Sequence, residues 1–421
     1  MKAPEMPAAK VRIADPAARL RAAGLSRGTN QSGVRLYNER LVLSLVRRHG
    51  NLPKAEIARL TGLSAQTITV IVRQLEIDGL VSRQDRQRGR IGQPSVPFGL
   101  NPHGALFLGL KIGRRSSDLV LMDFLGGVRR ALRETHLYPT PSGTLEFTAR
   151  SIARLTEGLT RRERSRISGL GIAMPFELWN WEEEIGAPRR VLDRWRAFDL
   201  QREIPRIFRR PVFFCDDASA ACGAELTFGN HGHQHDFLYF FIGSFIGGGV
   251  VLGGDLFLGR TGNAGALGSM PVATAKRTGG RGTQQLMRSA SIYVLEQKLA
   301  AVGEDPSMLW RSPDDWSGLA DAILDEWIEE VADSLSYAIL AAIAVIDFAA
   351  VIVDGAFPVS VRAGIVARTA EKTARLDHRG LSPVAIIEGS VGSGARAIGG
   401  ACLPLLANFG RDREVLFKET A

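Results

Sequence analysis

The sequence predicts an α/β protein in which a small helical domain precedes a larger domain of alternating strands and helices. Two observations predict this fold class. Apolar residues keep helical spacing through residues 51–80, and short apolar strands alternate with helices after Asn101-Pro102. With 421 residues, the chain is long enough for two or three domains. We expect a mobile basic tail at 1–30, a winged helical domain at 31–102 and a larger domain at 103–421.

Residues 51–80 have the pattern of a helix-turn-helix. Apolar residues keep helical spacing on both sides of a Thr61-Gly62-Leu63-Ser64 break. Gly62 can adopt the positive φ of a tight turn, and Ser64 can cap the second helix. Pro53 suits the first turn of the first helix, where its missing N–H needs no partner. The residues expected to face inward are Ile57, Leu60, Leu63, Ile68, Ile71, Leu75 and Leu80.

The outer face of the second helix suits the major groove of DNA. This face is small and polar and carries one basic residue. Glutamine can pair with adenine there, and threonine can touch the methyl group of thymine. An ordinary pair of amphipathic helices with a solvated face is the alternative for this segment. The residues expected to contact bases are Gln66, Thr67, Thr69 and Arg73.

Residues 80–100 predict a hairpin wing beside that helix. Two short apolar stretches flank a basic, glycine-rich tip. We expect Arg83, Arg88 and Arg90 to lie against phosphates or in the minor groove. Residues 1–102 hold 17 of the 53 basic residues but 7 of the 44 acidic ones. The excess positive charge therefore lies in the domain predicted to bind double-stranded DNA.

Composition argues against secreted and membrane proteins. Cys215, Cys222 and Cys402 are too few and too scattered for a disulfide framework, which favours a reducing cytoplasm. The N-terminus lacks the apolar segment of a signal peptide. Residues 338–353 are the most apolar stretch, but Asp347 interrupts it and it is too short to span a bilayer. We expect a soluble cytoplasmic protein with no membrane partner.

The larger domain shows two similar strand–glycine–strand openings, at 105–123 and 237–252, which suggest a duplicated lobe. The other predicted elements are strands at 130–136, 167–173, 211–215 and 349–353 and helices at 144–161, 218–228 and 324–342.

Short motifs, most of them glycine-rich, punctuate this domain. They are Gly109–Gly113, Gly169–Pro175, Asp216–Ala221, Gly243–Gly249, Gly262–Gly268, Val353–Pro358 and Gly389–Ala395. A single glycine-rich loop is weak evidence, but the order and spacing of these motifs behind a winged helix are specific. The chain resembles the ROK family, which groups bacterial sugar kinases with repressors. The resemblance covers most of 36–410 and implies an actin-like (ribonuclease H-like) ATPase-type fold, with sugar and ATP sites between two lobes.

The chain departs from that family at both phosphate loops. The resemblance implies an Asp-x-Gly-Gly-Thr-type loop, whose Asp helps to hold Mg²⁺, where this chain has Lys111 followed by Arg114 and Arg115. A lysine repels Mg²⁺, and the two arginines add bulk where the backbone must approach phosphate. The second loop, normally Gly-Thr-Gly, ends in Phe245. Phosphoryl transfer needs positioning and charge neutralisation, so we expect no kinase activity.

The resemblance also implies a carbohydrate-type effector site. Asp217 matches the family's catalytic base and can accept a hydrogen bond from a ligand hydroxyl; alternatively, it caps the helix at Ala218. The adjacent carboxylates of Asp216 and Asp217 can raise each other's pKa or bind a cation. Trp195 can stack on a ring or pack in the core. The residues expected to bind the effector are Asp216, Asp217, Ala266, Ser269, Gln285 and Trp195.

No zinc cofactor is expected. The family's Gly-His is Gly268-Ser269 here, and Lys276, Thr278 and Thr283 stand where the resemblance places cysteine ligands. A separate group, His231, His233 and His235, can chelate a metal or form a solvated loop.

These features predict a DNA-binding transcriptional regulator of the repressor type. A homodimer would bind an inverted-repeat operator, because two-fold DNA sites mirror two-fold proteins. A small carbohydrate-type effector would change the closure of the lobes. Two alternatives remain: an active ATP-dependent sugar kinase with a DNA-binding head, and an effector-independent DNA-binding protein.

Overall fold

The computed structural model describes residues 31–85, 96–175, 178–179, 186–230, 234–275 and 281–411. The N-terminal domain, called the head below, is a helix-turn-helix with a three-stranded wing in the order β1-β3-β2. Its elements are α1 (Gln31–His49), β1 (Leu52–Pro53), α2 (Lys54–Thr61), α3 (Ala65–Ile77), β2 (Val81–Arg83) and β3 (Pro97–Leu100).

In the head, the structure has the turn and the helix cap that the sequence predicts, but it differs from the prediction at two residues. Gly62 ends α2 with φ 71°, and the Ser64 hydroxyl caps α3 by accepting the Thr67 backbone N–H at 3.1 Å. Pro53 lies just before α2, as its N-cap, rather than in the first turn. Leu60 was expected to face inward but is 37% exposed, because α2 buries Ile57 and turns Leu60 away from the core.

The first lobe contains a mixed sheet in the order β6-β5-β4-β7-β8. The helix predicted at 144–161 is two helices, because Gly158 adopts φ 74° between them. The elements are β4 (Leu106–Ile112), β5 (Ser116–Asp123), β6 (Val128–Thr135), α4 (Pro141–Thr156), α5 (Arg161–Ser165), β7 (Ile167–Met174), α6 (Arg189–Ala197), α7 (Leu200–Ile207) and β8 (Val212–Asp216).

The second lobe repeats this plan with a sheet in the order β11-β10-β9-β14-β15. Its strands are β9 (Phe237–Ile242), β10 (Ile246–Leu252), β11 (Asp255–Phe257), β14 (Ala350–Gly355) and β15 (Ala385–Glu388), with a separate hairpin of β12 (Pro271–Ala275) and β13 (Arg281–Gln285). Its helices are α8 (Asp217–Phe228), α9 (Ile292–Ala301), α10 (Met308–Arg311), α11 (Asp321–Ile343), α12 (Val359–Arg375) and α13 (Ala395–Phe409).

The two sheets confirm the predicted two-lobed actin-like fold. In each sheet, an antiparallel meander supplies three strands and two parallel strands extend the other edge. The strand order is therefore the same in both lobes, as the duplicated opening predicted. Among the described residues, no helix combines the length and hydropathy of a membrane span.

Helix α13 packs directly on the first sheet through backbone. A Cβ placed on Gly171 of β7 would overlap the carbonyl oxygen of Gly400, and one on Gly109 of β4 would overlap that of Ala397. On its other side α13 packs against α8, where a Cβ on Gly399 would overlap the carbonyl of Ala220. Glycine is required at these positions because the chains are too close for a side chain.

The far end of α13 joins the head to the first lobe. The Phe409 ring lies 4.9 Å from that of Phe124, and both belong with Val42 and Val46 of α1 to one buried apolar cluster. Arg47 of α1 donates to the Phe124 carbonyl at 2.6 Å, and burial lowers the pKa of Arg47 to about 10. The head and the first lobe therefore share a core.

We expect Gly171→Ala to destabilise the protein by about 2–3 kcal/mol or more, because the added methyl group forces α13 away from β7. Chemical unfolding measures this loss. The matched control is Gly364→Ala within α12, where a Cβ meets only Ile328 at ordinary contact distance; it should be neutral or stabilise the helix by about 0.5–1 kcal/mol. Equal effects of the two variants would contradict this account of α13 packing.

Candidate DNA-binding surface and interlobe cleft

The structure places three of the four predicted base-contacting residues on the open face of α3. Gln66, Thr69 and Arg73 are exposed. Thr67 is partly buried, because its hydroxyl bonds to that of Ser64 at 2.8 Å while its backbone N–H is capped by the same side chain. Thr67 therefore stabilises the start of the helix as well as bordering the candidate DNA surface.

Val70 belongs to this face and was missed by the sequence prediction. Its side chain is 61% exposed, and it follows Gln66 by four residues and precedes Arg73 by three, so all three lie on one side of the helix. The helical spacing from Gln66 is the sequence signal that places Val70 on this face. An apolar side chain on this face suits the methyl group of thymine.

Of the predicted wing arginines, Arg83 lies within the described residues. Its guanidinium forms a salt bridge with Glu76 of α3 at 2.8 Å, which connects the wing to the helix. Arg88 and Arg90 lie outside the described residues.

A cleft between the lobes contains the residues of both altered phosphate loops. Lys111, at the end of β4, is 5% exposed and donates to the Ser116 hydroxyl at 2.6 Å and to Asp118 at 2.8 Å. Burial lowers the pKa of Lys111 to about 8, with repulsion from Arg396 and Arg133 adding to it and Asp118 opposing it. The lysine is thus held in an ion pair at the position where the resemblance implies a metal-organising aspartate.

The two arginines that follow cross the cleft to the second lobe. The Arg114 guanidinium carbon lies 4.0 Å from the centre of the Phe245 ring, close enough for a cation–π contact. Arg115 forms a salt bridge with Glu296 of α9 at 2.7 Å and stacks on Trp310 at 4.8 Å. These contacts close the cleft and leave a cavity of about 20 Å³, room for one water molecule.

Asp216 and Asp217 have different roles at the start of α8. Asp216 caps the helix, accepting the Ala218 and Ser219 N–H groups at 3.1 and 3.2 Å, so the capping proposed for Asp217 falls to its neighbour. Asp217 binds a cation instead: its carboxylate accepts from Arg396 of α13 at 3.1 Å. Burial, reinforced by the charge of Asp217, raises the pKa of Asp216 to about 7.

The other residues predicted to bind the effector divide into two groups. Ala266, Ser269 and Gln285 are exposed and flank two short 3₁₀ turns at the base of the β12–β13 hairpin. Trp195 is 2% exposed and its indole N–H donates to the Pro139 carbonyl at 3.0 Å. The structure therefore favours the core-packing alternative for Trp195, because its polar atom already has a buried partner.

His235 contacts the head: a ring nitrogen lies 3.3 Å from a guanidinium nitrogen of Arg48. His231, His233, Lys276 and Thr278 lie outside the described residues. Within the described part of the chain, no three His, Cys, Asp or Glu side chains are grouped to hold a metal ion.

The chain thus joins a winged helix-turn-helix to a two-lobed actin-like domain. Comparison of its sequence with models of known protein families identifies the family that has this combination. A ROK family model matches residues 107–405, and a MarR family model matches residues 37–91. The chain belongs to the ROK family.

Relatives and solved structures of this class include regulators and kinases. The xylose repressor of Bacillus spizizenii is 24% identical over 250 residues, which are 58% of this chain and 62% of that repressor, so the match spans less than two thirds of the repressor's length. A crystal structure of a ROK family transcriptional regulator, a homologue of the Escherichia coli MLC protein, superposes with a TM-score of 0.62 at 19% identity, covering 92% of this chain and all of that one.

A ROK family glucokinase from Streptomyces griseus, solved with glucose and AMPPNP, gives a TM-score of 0.56 at 20% identity, covering 71% of this chain and 99% of that one. At these identities, the structural likenesses show the fold. The fold is thus common to DNA-binding regulators and sugar kinases, and the residues of the cleft must separate the two functions.

We expect the stability of the protein to depend on pH through Asp216. Its pKa in the folded state, about 7, exceeds the ordinary value of 3.8, so the folded protein holds this proton more tightly than the unfolded chain. The free energy of unfolding should therefore fall as pH rises from about 4 to about 7. Above pH 7, Asp216 should cause no further change.

Asp216→Asn keeps a helix cap and removes the ionisable group. The stability of this variant relative to wild type should thus increase between pH 5 and pH 8, as measured by urea unfolding. Asp199→Asn, at the exposed N-cap of α7, is the matched control. The same pH profile for both variants would rule out the role of Asp216.

Proposed function

We propose that this protein is a sugar-responsive, DNA-binding transcriptional regulator of the repressor type. The observation that carries the proposal is the position of α13 (Ala395–Phe409). Arg396, in its first turn, lies in the interlobe cleft, and Phe409, its last residue, packs against the core shared with the head. The 15 residues of α13 span about 22 Å. One helix thus connects a candidate ligand site with a candidate DNA-reading domain.

The head supports DNA binding on chemical grounds. The exposed side chains of α3 combine an amide, a hydroxyl, an apolar group and a guanidinium, which together match the donors, acceptors and methyl groups of the major groove. The xylose repressor and the regulator structure described above are named as transcriptional regulators, which supports the same function here. Homodimers that bind an inverted-repeat operator follow from the two-fold symmetry of such sites.

The cleft supports ligand sensing rather than phosphoryl transfer. Lys111 is engaged by Asp118, and Arg114 packs on Phe245, so side chains occupy the space between the lobes. A nucleotide would need backbone amides and a bound Mg²⁺ at these loops. An effector that binds the open or the closed lobes more tightly would move α13 and with it the head.

The DNA surface is tested by electrophoretic mobility shift on the DNA upstream of the protein's own coding sequence. We expect specific binding that weakens as salt rises, and a loss of about tenfold or more in Arg73→Ala, because a guanidinium bound to guanine contributes about 1–3 kcal/mol. Arg194→Ala, an exposed arginine of α6, should bind like wild type. Absence of binding at low salt would refute the proposed function.

The sensor is tested by a thermal-shift screen with a library of monosaccharides and their derivatives, where an effector raises Tm by mass action.

We then expect Phe409→Leu to keep effector and DNA affinity but to lose most of the effector's influence on DNA binding, because the contact between α13 and the head is loosened. Phe257→Leu, on the exposed β11, is the matched control. ADP release with any sugar, lost in Asp217→Asn, would instead indicate a kinase.

A further inference from the structure

The C-terminal end of α3 is capped by side chains from other parts of the molecule. Backbone carbonyls at the end of a helix lack partners within the helix. Here the Asp78 carbonyl accepts a hydrogen bond from the Arg166 guanidinium at 2.7 Å, and the Gly79 carbonyl accepts one from the Asn101 side-chain amide at 2.8 Å. The positive charge of Arg166 also suits the negative end of the helix dipole. The first lobe therefore directly contacts the helix that carries the candidate DNA surface.

The backbone of Arg166 is fixed within the first lobe. Its N–H donates to the Glu163 carbonyl at 3.0 Å at the end of α5, and its own carbonyl accepts the N–H of Leu106, the first residue of β4, at 2.9 Å. The next residue, Ile167, begins β7. The main chain of Arg166 thus belongs to the sheet, while its side chain reaches a residue of the head 88 positions away in the chain.

Gly79 allows the guanidinium to lie directly against the backbone of the head. A Cβ placed on Gly79 would lie 3.1 Å from a terminal nitrogen of Arg166, which is closer than most side chains tolerate. The same glycine adopts φ 74° to turn the chain after α3. On the side of the head, the contact is therefore made by main chain alone.

Strands β4 and β7 connect this contact with the interlobe cleft. They are parallel neighbours whose paired residues run from Leu106 and Ile167, beside the head, to Lys111 and Ala173. Lys111 lies in the cleft, as described above. The sheet therefore links the cleft to the end of α3, whereas α13 reaches the head through α1. The head is attached to the first lobe at two separate places.

We propose that Arg166 is a positioning residue that fixes the angle of α3 relative to the first lobe, so that the DNA-reading face moves with this lobe. This inference rests on the proposed function and adds a second connection to it. The attachment at Phe409 and α1 alone would let the head turn about that point. A second attachment, at the end of α3, prevents this rotation.

The angle of α3 can be measured without DNA by double electron–electron resonance in the full-length protein. Spin labels on Val70→Cys of α3 and Ala149→Cys of α4 occupy exposed positions. The native cysteines, Cys215, Cys222 and Cys402, are buried, so labelling is directed to the introduced ones. Dilution with excess unlabelled protein restricts the measured distance to one chain.

We expect one narrow distance for the labelled parent protein and a broadened or shifted distribution when Arg166→Ala is added, because α3 then loses its contact with the first lobe. Arg166→Lys should restore part of the narrow distribution, since an ammonium group can donate to the same carbonyl. If Arg166→Ala unfolds, Arg166→Gln carries the test. An unchanged distribution in the folded variant would overturn the proposal.

Arg130→Ala is the matched control. The Arg130 guanidinium also caps a helix, donating to the Leu155 carbonyl of α4 at 3.1 Å, but this bond lies entirely within the first lobe. Its loss should lower Tm as Arg166→Ala does and leave the distance between the labels unchanged. Equal broadening in both variants would show that loss of any helix cap loosens the protein, which would contradict a specific role of Arg166.

The consequence for DNA is measured on the upstream fragment and on the same fragment with one half-site scrambled. A homodimer must place both α3 helices in the groove together, so their angle matters more for two half-sites than for one. For Arg166→Ala without labels, we expect the preference for the intact fragment to fall by about tenfold, the loss expected for a hydrogen bond that involves a charged group. Equal weakening on both fragments would indicate a damaged head and overturn the proposal.

The two experiments separate this inference from the proposed function. Specific DNA binding together with an unchanged label distance in Arg166→Ala would overturn the positioning role and leave the regulator intact. A distance that broadens in Arg166→Ala, in a wild-type protein that binds no upstream DNA at low salt, would refute the regulator and retain the attachment of α3 to the first lobe.

Discussion

Direct backbone contact between α13 and the first sheet is the constraint on which the other features depend. Because Gly109 and Gly171 bring helix and strands together without an intervening side chain, α13 cannot move unless the sheet moves too. A close-packed element of this kind transmits a displacement instead of absorbing it. Arg396 is therefore well placed to detect a change in the cleft, and Phe409 to pass it to the head.

In the cleft, ion pairs between side chains occupy the loops at which the resemblance implies that backbone groups approach phosphate. In this chain Lys111 and Arg115 hold carboxylates of their own protein, and their burial makes each pair dependent on its partner, because an isolated buried charge is costly. Removing one partner of such a pair is strongly destabilising, so the two pairs define the resting state of the cleft.

The sequence predicted features whose causes are local. The turn at Gly62, the cap at Ser64 and the two antiparallel strand–glycine–strand openings follow from residues that are neighbours in the chain. The partners of the site residues are remote: Asp217 and Arg396 are 179 positions apart, and no periodicity links them. Trp195 shows the same limit, because its partner Pro139 lies 56 positions away. Val70 is a different case, because the rule that apolar residues face the core gives no indication that an apolar side chain lies on the open face of α3.

The buried guanidinium of Arg47 has a consequence for the modularity of the protein. It lies 4.8 Å from the Phe124 ring and 5.8 Å from that of Phe228, so a helix of the head depends on aromatic residues from both the first lobe and α8. A fragment cut after residue 102 would expose this arginine and the apolar side of α1. Chimaeras that exchange heads between regulators must therefore transplant the docking surface together with the DNA-reading helix.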